Sequence, residues 1–292
     1  MTVLITGADG QLGKELCRIL KNGKSAIGIL PKEFLNCKVI SLTIADLDIT
    51  KPENVTKTLI NEKPNIVINC AAYTNVDGAE SDKETAFLVN AEGVKNLSSA
   101  CKNINADFIH ISTDYVFDGK AKTPYCESDA TNPQNVYGES KALGEKYALE
   151  YEKSYVIRTA WLYGKQGKNF VKTITRISAE RDTINVVNDQ TGSPTNAEDL
   201  AHHVLKLAES RKYGVYHCTG AGSCTWYDFA LEIVKLANTN CKVLPCFTKD
   251  FPTAAKRPEF SVLNNNALNL AVGNQMRPWK EALKDYFRTE QP

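Results

Sequence analysis

The sequence predicts an α/β fold, a doubly wound parallel sheet of the Rossmann type with a smaller mixed α/β lobe. Two observations carry this prediction. Strand-like and helix-like stretches alternate through residues 1–160 of the 292-residue chain, as they do where crossover helices join parallel strands. The chain also opens with a strand, a glycine turn and a helix, the arrangement in which backbone amides at a helix N-terminus receive a pyrophosphate.

The first unit contains the glycine turn. Val3–Thr6 is a short apolar, β-prone run, and Gln11–Leu20 repeats leucine and isoleucine at helical spacing. Between them Gly7, Gly10 and Gly13 follow the spacing G-x-x-G-x-x-G rather than G-x-G-x-x-G. These glycines can still provide a tight turn, close approach to a ligand and helix–strand packing. An ordinary turn followed by a helix-packing glycine is the alternative interpretation.

The remaining elements of residues 1–160 continue the alternation. They are strand Lys38–Leu42, helix Asn54–Glu62, strand Asn65–Asn69, helix Lys83–Asn103, strand Phe108–Ser112, a helix that carries Tyr137 and Lys141, and strand Tyr155–Thr159. Ala26–Leu30 competes with Lys38–Leu42 for the place of the second strand.

Beyond Trp161 the alternation is looser. The predicted elements are helix Asn169–Glu180, strand Thr183–Val187, helix Glu198–Glu209, strand Gly214–Cys218, helix Trp226–Ala237 and helix Trp279–Phe287. We expect residues 1–160 to form a dinucleotide-binding Rossmann domain and residues 161–292 to form mainly a substrate-binding lobe. Segments near 183–210 and 214–240 are candidates for returning to the first domain.

Composition argues against several classes of function. The 35 basic and 34 acidic residues nearly balance and form no basic stripe, so nothing supports binding to nucleic acid or to a membrane surface. No apolar stretch approaches the length of about 18 residues that a membrane span needs, and the N-terminus lacks a signal-peptide pattern. The nine cysteines are scattered without a C-x-x-C pair, which indicates reduced thiols and a cytoplasmic protein.

Tyr137 and Lys141 are the first candidates for catalysis. Four positions separate them, so both side chains lie on one face of the predicted helix. We expect the lysine ammonium to lower the tyrosine pKa from about 10 towards neutrality by favouring the phenolate. With the glycine turn, the pair indicates a nicotinamide-dependent reductase with a tyrosine general acid–base. An exposed phenol and a solvated amine are the alternative, because this spacing often occurs by chance.

Polar strand ends supply further candidates, since ligands of open parallel sheets bind there. Asn69-Cys-Ala-Ala-Tyr-Thr74 follows one predicted strand and Ser112-Thr-Asp-Tyr-Val-Phe117 follows another. The small Ala71 and Ala72 allow close approach of a cofactor, or simply pack. A Thr113 hydroxyl at the strand end can hold a substrate carbonyl, and a locally satisfied turn hydroxyl is the alternative.

These motifs resemble those of the extended short-chain dehydrogenases/reductases, and among these the dTDP-4-dehydrorhamnose reductase family. The resemblance covers essentially the whole chain, and its more particular motifs are Arg158-Thr-Ala-Trp-Leu-Tyr-Gly164, Asp189-Gln-Thr-Gly-Ser-Pro-Thr195 and Thr225-Trp-Tyr-Asp-Phe229. It implies reduction of the 4-keto group of dTDP-4-dehydro-L-rhamnose, with NADPH as cofactor and NADH as an alternative. It implies a nucleotide-sugar partner and leaves a monomer and a homodimer equally open.

The resemblance also implies roles for individual residues. Thr113, Tyr137 and Lys141 match the catalytic triad. Cofactor contacts fall on Gly7, Gly10, Gln11, Leu12, Gly13, Asp48, Ile49, Ala72, Tyr73, Thr74, Ile111, Tyr137 and Lys141. Substrate contacts fall on Thr113, Asp114, Trp161 and Arg257, whose guanidinium suits a pyrophosphate. Some family members hold Mg²⁺ through positions matched by Glu15 and Glu198, and solvated surface carboxylates are the alternative there.

Two departures bear on cofactor and reaction. Thr43 follows the strand candidate Lys38–Leu42 where many NAD-binding sheets carry Asp or Glu, so a 2′-phosphate meets no repulsion from this side chain. Sugar-nucleotide dehydratases resemble one another in an Asp-Glu pair after the strand-end threonine, whereas Tyr115 follows Asp114 here. An epimerase remains open. A non-catalytic NADP-binding regulatory subunit is the second alternative, and the intact triad argues against it.

Overall fold

A computed structural model describes residues 1–290. The strands of this part of the chain are β1 Thr2–Thr6, β2 Lys24–Ser25, β3 Gly28–Ile29, β4 Lys38–Leu42, β5 Ile66–Asn69, β6 Asp107–Thr113, β7 Ser154–Thr159, β8 Leu162–Tyr163, β9 Thr183–Val187, β10 Thr191–Gly192, β11 Thr195–Asn196, β12 Gly214–His217, β13 Cys224–Thr225 and β14 Lys242–Cys246. The helices are α1 Gln11–Asn22, α2 Pro52–Glu62, α3 Val76–Ser81, α4 Lys83–Phe87, α5 Gly93–Ile104, α6 Val136–Leu149, α7 Phe170–Glu180, α8 Ala197–Ser210, α9 Trp226–Leu236, α10 Asn266–Val272 and α11 Trp279–Glu290. A π-helical turn, Leu88–Glu92, joins α4 to α5.

Six strands form a parallel central sheet in the order β12-β7-β6-β5-β1-β4. The strand β4 pairs with β1 from Thr2↔Lys38 to Thr6↔Leu42, so it is the second strand of the sheet. Ala26–Leu30 contributes only β3, which pairs with β2 in a short hairpin. The chain reverses its direction across the sheet between β1 and β5, and open sheets bind ligands at such a reversal. The predicted doubly wound α/β fold is confirmed.

Apolar layers cover both faces of this sheet. On one face α1 and α8 pack together through side chains that include Leu16, Ile19, Leu200 and Val204. On the other face α2 and α5 contribute Val55, Leu59, Val94 and Leu97. On α1, α2 and α5 the apolar positions recur at helical spacing and a single stripe is buried, whereas α8 is buried around most of its circumference. The sheet is therefore held in a three-layer arrangement, and its strand ends remain free to form a site.

A separate apolar cluster forms the smaller lobe. The strands β9 and β14 pair in parallel, and α7, α9 and α11 contribute to the same cluster. The fully buried Phe229 of α9 lies at its centre, in ring contact with Tyr163 and Trp279. None of the helices in residues 1–290 combines the length and the apolar character needed to cross a lipid bilayer.

Candidate active site

The glycine turn places the N-terminus of α1 at the reversal point of the sheet. Gly7 has φ = +61°, and a Cβ on it would lie 2.6 Å from the Ala71 nitrogen, so the turn packs directly on the segment after β5. A Cβ on Gly13 would overlap the Gly7 carbonyl oxygen, so glycine is required where helix and turn touch. Gly10 precedes α1, and no side chain of residues 1–290 caps this helix. Its first turn therefore offers backbone N–H groups to an anion.

A cleft of about 670 Å³ extends from this helix end along the ends of the neighbouring strands to the smaller lobe. It brings together most of the positions proposed from the sequence. Those that line it are Gly10, Gln11, Leu12, Ala72, Thr74, Ile111, Thr113, Asp114, Tyr137, Lys141 and Trp161. Gly7 and Gly13 support the turn beneath it. The cleft also contains residues that sequence reasoning did not single out, among them Cys70, Tyr115, Lys168 and Trp226.

Thr113 is held at the end of β6 by two local hydrogen bonds. Its hydroxyl donates to Asp114 Oδ1 at 3.0 Å and accepts from the Tyr115 backbone N–H at 3.2 Å. A short 3₁₀ turn, Asp114–Val116, follows directly. A Cβ on Gly138 would overlap the Tyr115 carbonyl oxygen, so this glycine lets α6 pack against the turn. That close packing brings Tyr137 beside Thr113.

The helix α6 begins at a well-formed cap. The Asn135 side chain accepts from the Gly138 N–H at 2.8 Å and donates to the Lys256 carbonyl at 2.8 Å. Tyr137 and Lys141 both face the cleft from this helix, as the four-residue spacing predicts. The Lys141 ammonium nitrogen donates to the Ile111 carbonyl at 2.6 Å and lies 3.3 Å from His110 Nε2.

The electrostatics of the pair differ from the sequence prediction. Burial raises the pKa of the Tyr137 phenol above its ordinary value, and hydrogen bonding with Thr113 only partly opposes this. Burial lowers the pKa of Lys141 to about 8. The predicted lowering of the tyrosine pKa is thus wrong for this structure, because loss of hydration outweighs the hydrogen bond with Thr113 and the neighbouring Asp114 charge raises the pKa further. A phenol that keeps its proton at neutral pH is the form that can donate to a ketone oxygen.

Asp114 is a buried acid next to the catalytic candidates. Its side chain is almost fully buried, and within residues 1–290 its Oδ2 has no hydrogen-bond partner. Burial raises the pKa of this carboxyl to about 6, although hydrogen bonding with Ser261 and with the Thr113 hydroxyl lowers it. An unpaired oxygen of this kind can receive a hydroxyl group of a bound ligand.

Aromatic residues form the other walls of the cleft. The Tyr115 ring lies edge-on to Tyr137 at 5.6 Å between centroids, and Trp161 stacks on Trp226 at 3.5 Å with 6° between their planes. The Trp161 backbone has φ = +46°, which is uncommon for a residue other than glycine. Because the two rings are stacked, Trp226 covers one face of the Trp161 ring. Trp226 could have been identified as a cleft residue from the motif Thr225-Trp-Tyr-Asp-Phe229. Tyr115 could have been identified from its place directly after Asp114.

Arg257 lies beside the cleft rather than in its lining. Its Nη2 is 2.6 Å from Asp77 Oδ2, and its Nη1 donates to the Tyr115 hydroxyl at 3.2 Å. It lines a small adjacent pocket together with Tyr115 and Asn135. Tyr115 lines both pockets, so it connects Arg257 to the catalytic candidates.

Three predicted cofactor positions also lie outside the lining of the cleft. The Asp48 carboxylate accepts from the Thr50 N–H and hydroxyl at 3.0 and 2.7 Å. Ile49 is buried in the core, where its side chain leaves no room for a Cβ on Gly93. Tyr73 is fixed through its backbone, whose N–H donates to Asn90 Oδ1 at 2.8 Å.

Glu15 and Glu198 come together, as their proposed metal role requires, but a cation of the chain lies between them. Arg18 forms an ion pair with Glu15 and another with Glu198, the latter at 2.6 Å. Residues 1–290 contain no cluster of three or more His, Cys, Asp or Glu side chains suited to a metal ion. The guanidinium neutralises the two carboxylates, so the arrangement gives no support to Mg²⁺ at this place.

Known proteins resemble this chain over its whole length. The family described as RmlD substrate binding domain matches residues 1–291. A dTDP-4-dehydrorhamnose reductase from Aggregatibacter actinomycetemcomitans is 41% identical, covering 97% of this chain and 97% of the relative. The crystal structure of a dTDP-4-dehydrorhamnose reductase from Clostridium acetobutylicum is 47% identical, with a TM-score of 0.94 and 100% coverage of both chains. A dTDP-4-dehydrorhamnose reductase from Bacillus anthracis, solved in complex with NADP, is 41% identical, with a TM-score of 0.92 and 99% coverage of both chains.

Proposed function

The chain belongs to the RmlD substrate-binding domain family, and we propose that it reduces the 4-keto group of dTDP-4-dehydro-L-rhamnose with NADPH to give dTDP-L-rhamnose. It is an oxidoreductase of nucleotide-sugar biosynthesis. The observation that carries the proposal is the meeting of Thr113, Tyr137 and Lys141 in one cleft with the uncapped N-terminus of α1. An anion site and a proton donor on either side of one cavity are what a nicotinamide-dependent reductase needs.

The residues of the cleft suit a dinucleotide. The N-terminus of α1 opens onto the cleft at Gly10, Gln11 and Leu12, and no side chain of residues 1–290 caps it. Gly10, Gln11 and Leu12 would hold the pyrophosphate, and Lys141 would bind the nicotinamide ribose. When bound, the nicotinamide supplies the hydride for the carbonyl carbon. The relative from Bacillus anthracis was solved in complex with NADP, which supports NADPH as the cofactor.

NADH is proposed as an alternative cofactor beside NADPH. Thr43 directly follows β4, and its N–H and hydroxyl donate to Asp46 Oδ2 at 2.9 and 2.7 Å. A carboxylate therefore lies close to the strand end where doubly wound sheets bind the adenosine ribose. Its charge would weaken, without abolishing, the binding of a 2′-phosphate in NADPH.

The proton for the new hydroxyl group comes from Tyr137 in this proposal. The phenol keeps its proton because burial raises its pKa, and Thr113 beside it orients the carbonyl oxygen for the transfer. The buried Asp114 carboxyl would accept a hydroxyl group of the sugar, and Arg257 would bind the substrate pyrophosphate. We also propose residues 1–160 as the cofactor domain and residues 161–292 as mainly the substrate lobe.

The test is a product assay with the purified chain. Incubation with dTDP-4-dehydro-L-rhamnose and NADPH should consume nicotinamide absorbance and yield dTDP-L-rhamnose, identified by mass and by the NMR couplings at carbon 4. NADH runs in parallel, and dTDP-glucose, which lacks the ketone, is the matched control. Failure to consume either cofactor, in a folded chain that binds NADPH, would refute the proposed substrate.

A further inference from the structure

A row of four polar side chains lies buried beneath the catalytic cleft. Thr6 of β1, Asn69 of β5, His110 of β6 and Lys141 of α6 have exposed fractions of only 1%, 1%, 0% and 2%. Each contacts the next, and only Lys141 has a role in the proposed reaction. Buried polar groups cost free energy unless they are paired, so the order of donors and acceptors along this row is constrained.

The orientation of the Asn69 amide can be derived from its neighbours. Its Oδ1 accepts from the Ala71 backbone N–H at 3.2 Å and from the Thr6 hydroxyl at 2.7 Å. A backbone N–H can only donate, so the amide oxygen must be on this side. The amide nitrogen then faces His110 Nδ1 at 3.2 Å. Because an amide nitrogen can only donate, His110 Nδ1 is the acceptor and carries no proton.

The state of the His110 ring follows from this contact. Burial and the adjacent Lys141 charge hold the pKa of His110 well below its ordinary value, so the ring is neutral. A neutral imidazole has one ring proton, which must be on Nε2 when Nδ1 accepts. This N–H is directed at the Lys141 nitrogen, 3.3 Å away. An ammonium has no lone pair to receive it, whereas a neutral amine does.

We propose that Asn69 holds His110 in its Nε2–H tautomer and that His110 in turn stabilises the neutral amine of Lys141. These two positioning residues thereby set the alkaline limit of the reaction. The inference rests on the proposed function in one respect: Lys141 must be protonated to stabilise the phenolate that Tyr137 leaves. The remaining contact of the lysine, to the Ile111 carbonyl at 2.6 Å, is available to the amine as well as to the ammonium.

The other groups that face Lys141 act in the opposite direction. Glu145, one turn further along α6, and Cys70, at the end of β5, favour the ammonium. Glu145 is largely neutralised, because Arg158 donates to both of its oxygens at 2.9 and 2.7 Å and Ser112 donates to it at 2.5 Å. The lysine is thus balanced between the two forms, and the lowering of its pKa to about 8 agrees with that balance.

Asn69→Asp has nearly the same shape and turns the donor facing His110 into an acceptor. It also adds a negative charge that by itself favours the Lys141 ammonium, so the shift of the alkaline limb is decisive in His110→Phe and the ring tautomer is decisive in Asn69→Asp. The ring proton should move to Nδ1, so that Nε2 becomes an acceptor for the Lys141 ammonium. We expect the alkaline limb of the kcat profile to move upward by at least one pH unit. His110→Phe removes the N–H that favours the amine and should move the limb upward by a smaller amount. A purely structural role, or an ammonium bonded to Nε2, predicts no movement or a downward movement on loss of His110.

A matched control is His203→Phe. His203 is equally buried, but among residues 1–290 its ring bonds only to backbone groups, the Asp199 carbonyl at 2.9 Å and the Gln275 N–H at 3.0 Å. Its replacement should leave the alkaline limb in place. All variants are first checked for cooperative thermal unfolding.

The tautomer itself can be read without substrate, which separates this inference from the proposed function. Nitrogen-15 NMR of the histidine rings should show His110 protonated on Nε2 in the unmodified chain and on Nδ1 in Asn69→Asp, with the signal identified by its loss in His110→Phe. Lysine-¹³Cε titration of the same proteins should give a higher pKa for Lys141 in both variants. An Nδ1–H tautomer in the unmodified chain, or an unchanged Lys141 titration in Asn69→Asp, would overturn the inference even if the chain is an active reductase.

Discussion

Arg257, on the loop after β14, forms an ion pair with Asp77 of α3, with Nη2 2.6 Å from Oδ2. The same carboxylate accepts from the Ala255 N–H at 3.0 Å, so Asp77 holds the loop at two points beside the cleft. A substrate pyrophosphate that binds Arg257 must compete with this carboxylate, and the pair therefore connects loop position to substrate affinity.

Replacing Arg257 should weaken substrate binding alone. A charge-assisted hydrogen bond contributes about 1.5–3 kcal/mol, so we expect Arg257→Gln to raise the KM for the nucleotide sugar by about tenfold to a hundredfold. The KM for NADPH should stay unchanged. Asp77→Asn is the counterpart, because it removes the competitor and should leave the sugar KM equal or lower. Steady-state kinetics with each substrate varied in turn makes the measurement, and an unchanged sugar KM in Arg257→Gln would remove this residue from the site.

Two glycines of the first turn should differ in what they control. A Cβ on Gly13 overlaps the Gly7 carbonyl oxygen, whereas a Cβ on Gly10 lies 3.1 Å from it. Gly13→Ala should lower the free energy of unfolding by about 1–3 kcal/mol, the cost of overpacking. Gly10→Ala should change stability little but raise the Kd for NADPH, because Gly10 lines the cleft. Urea unfolding and NADPH titration of both variants compare these effects, and equal destabilisation would contradict the assignment.

Asp46 should tune the choice of cofactor. Its Oδ2 lies 2.7 Å from the Thr43 hydroxyl at the end of β4. Removing the charge in Asp46→Asn should raise kcat/KM for NADPH relative to that for NADH several-fold, because repulsion of the 2′-phosphate is relieved. Asp129→Asn is a matched control, since Asp129 accepts from a backbone N–H in the same way, from Cys126 at 2.7 Å. If both variants leave the ratio unchanged, the adenosine ribose is not bound beside Asp46.

The buried Asp114 should make stability depend on pH. Its folded-state pKa is raised from the ordinary 3.8 to about 6, so the protonated form favours the folded chain. This contribution is present below pH 4 and is lost as the pH rises through 6, a change of at most about 3 kcal/mol. The free energy of unfolding of Asp114→Asn, relative to that of the unmodified chain, should therefore increase from pH 4.5 to pH 8. Urea unfolding at the two pH values tests the sign, and a relative loss at pH 8 would show that the ionised carboxylate is stabilised.

Local patterns in the sequence were sufficient to predict the central sheet. Buried parallel strands appear as apolar runs, which is how Lys38–Leu42 and Asn65–Asn69 were found. Apolar character alone does not show which of two runs joins the sheet, so Ala26–Leu30 remained an alternative to Lys38–Leu42. The pairing of β1 with β4 decides between them. The long helix predicted at Lys83–Asn103 contains the π-helical turn Leu88–Glu92, for which the sequence carried no evident signal.

The site was predictable where its chemistry is local in the chain. Tyr137 and Lys141 share a helix face, so their spacing alone placed them together. The Arg257–Asp77 pair joins residues 180 positions apart, which no spacing can reveal. His110 could have attracted notice as a polar residue between two isoleucines of a buried strand, but its partners come from β5 and α6. The tyrosine pKa was predicted with the wrong direction because burial cannot be read from a four-residue motif.

The central claim is that Tyr137 donates the proton when the 4-keto group is reduced, and a pair of tyrosine variants tests it most directly. Tyr137 and Tyr115 line the same cleft with their rings 5.6 Å apart, so Tyr115→Phe is a matched control for Tyr137→Phe. The measurement is kcat for NADPH oxidation with dTDP-4-dehydro-L-rhamnose, together with NADPH affinity. We predict that Tyr137→Phe lowers kcat by at least about a hundredfold with NADPH binding retained, as loss of general acid catalysis requires, and that Tyr115→Phe keeps most of the activity. Near-normal kcat in Tyr137→Phe would contradict the account, as would a loss of kcat in Tyr115→Phe that equals or exceeds the loss in Tyr137→Phe.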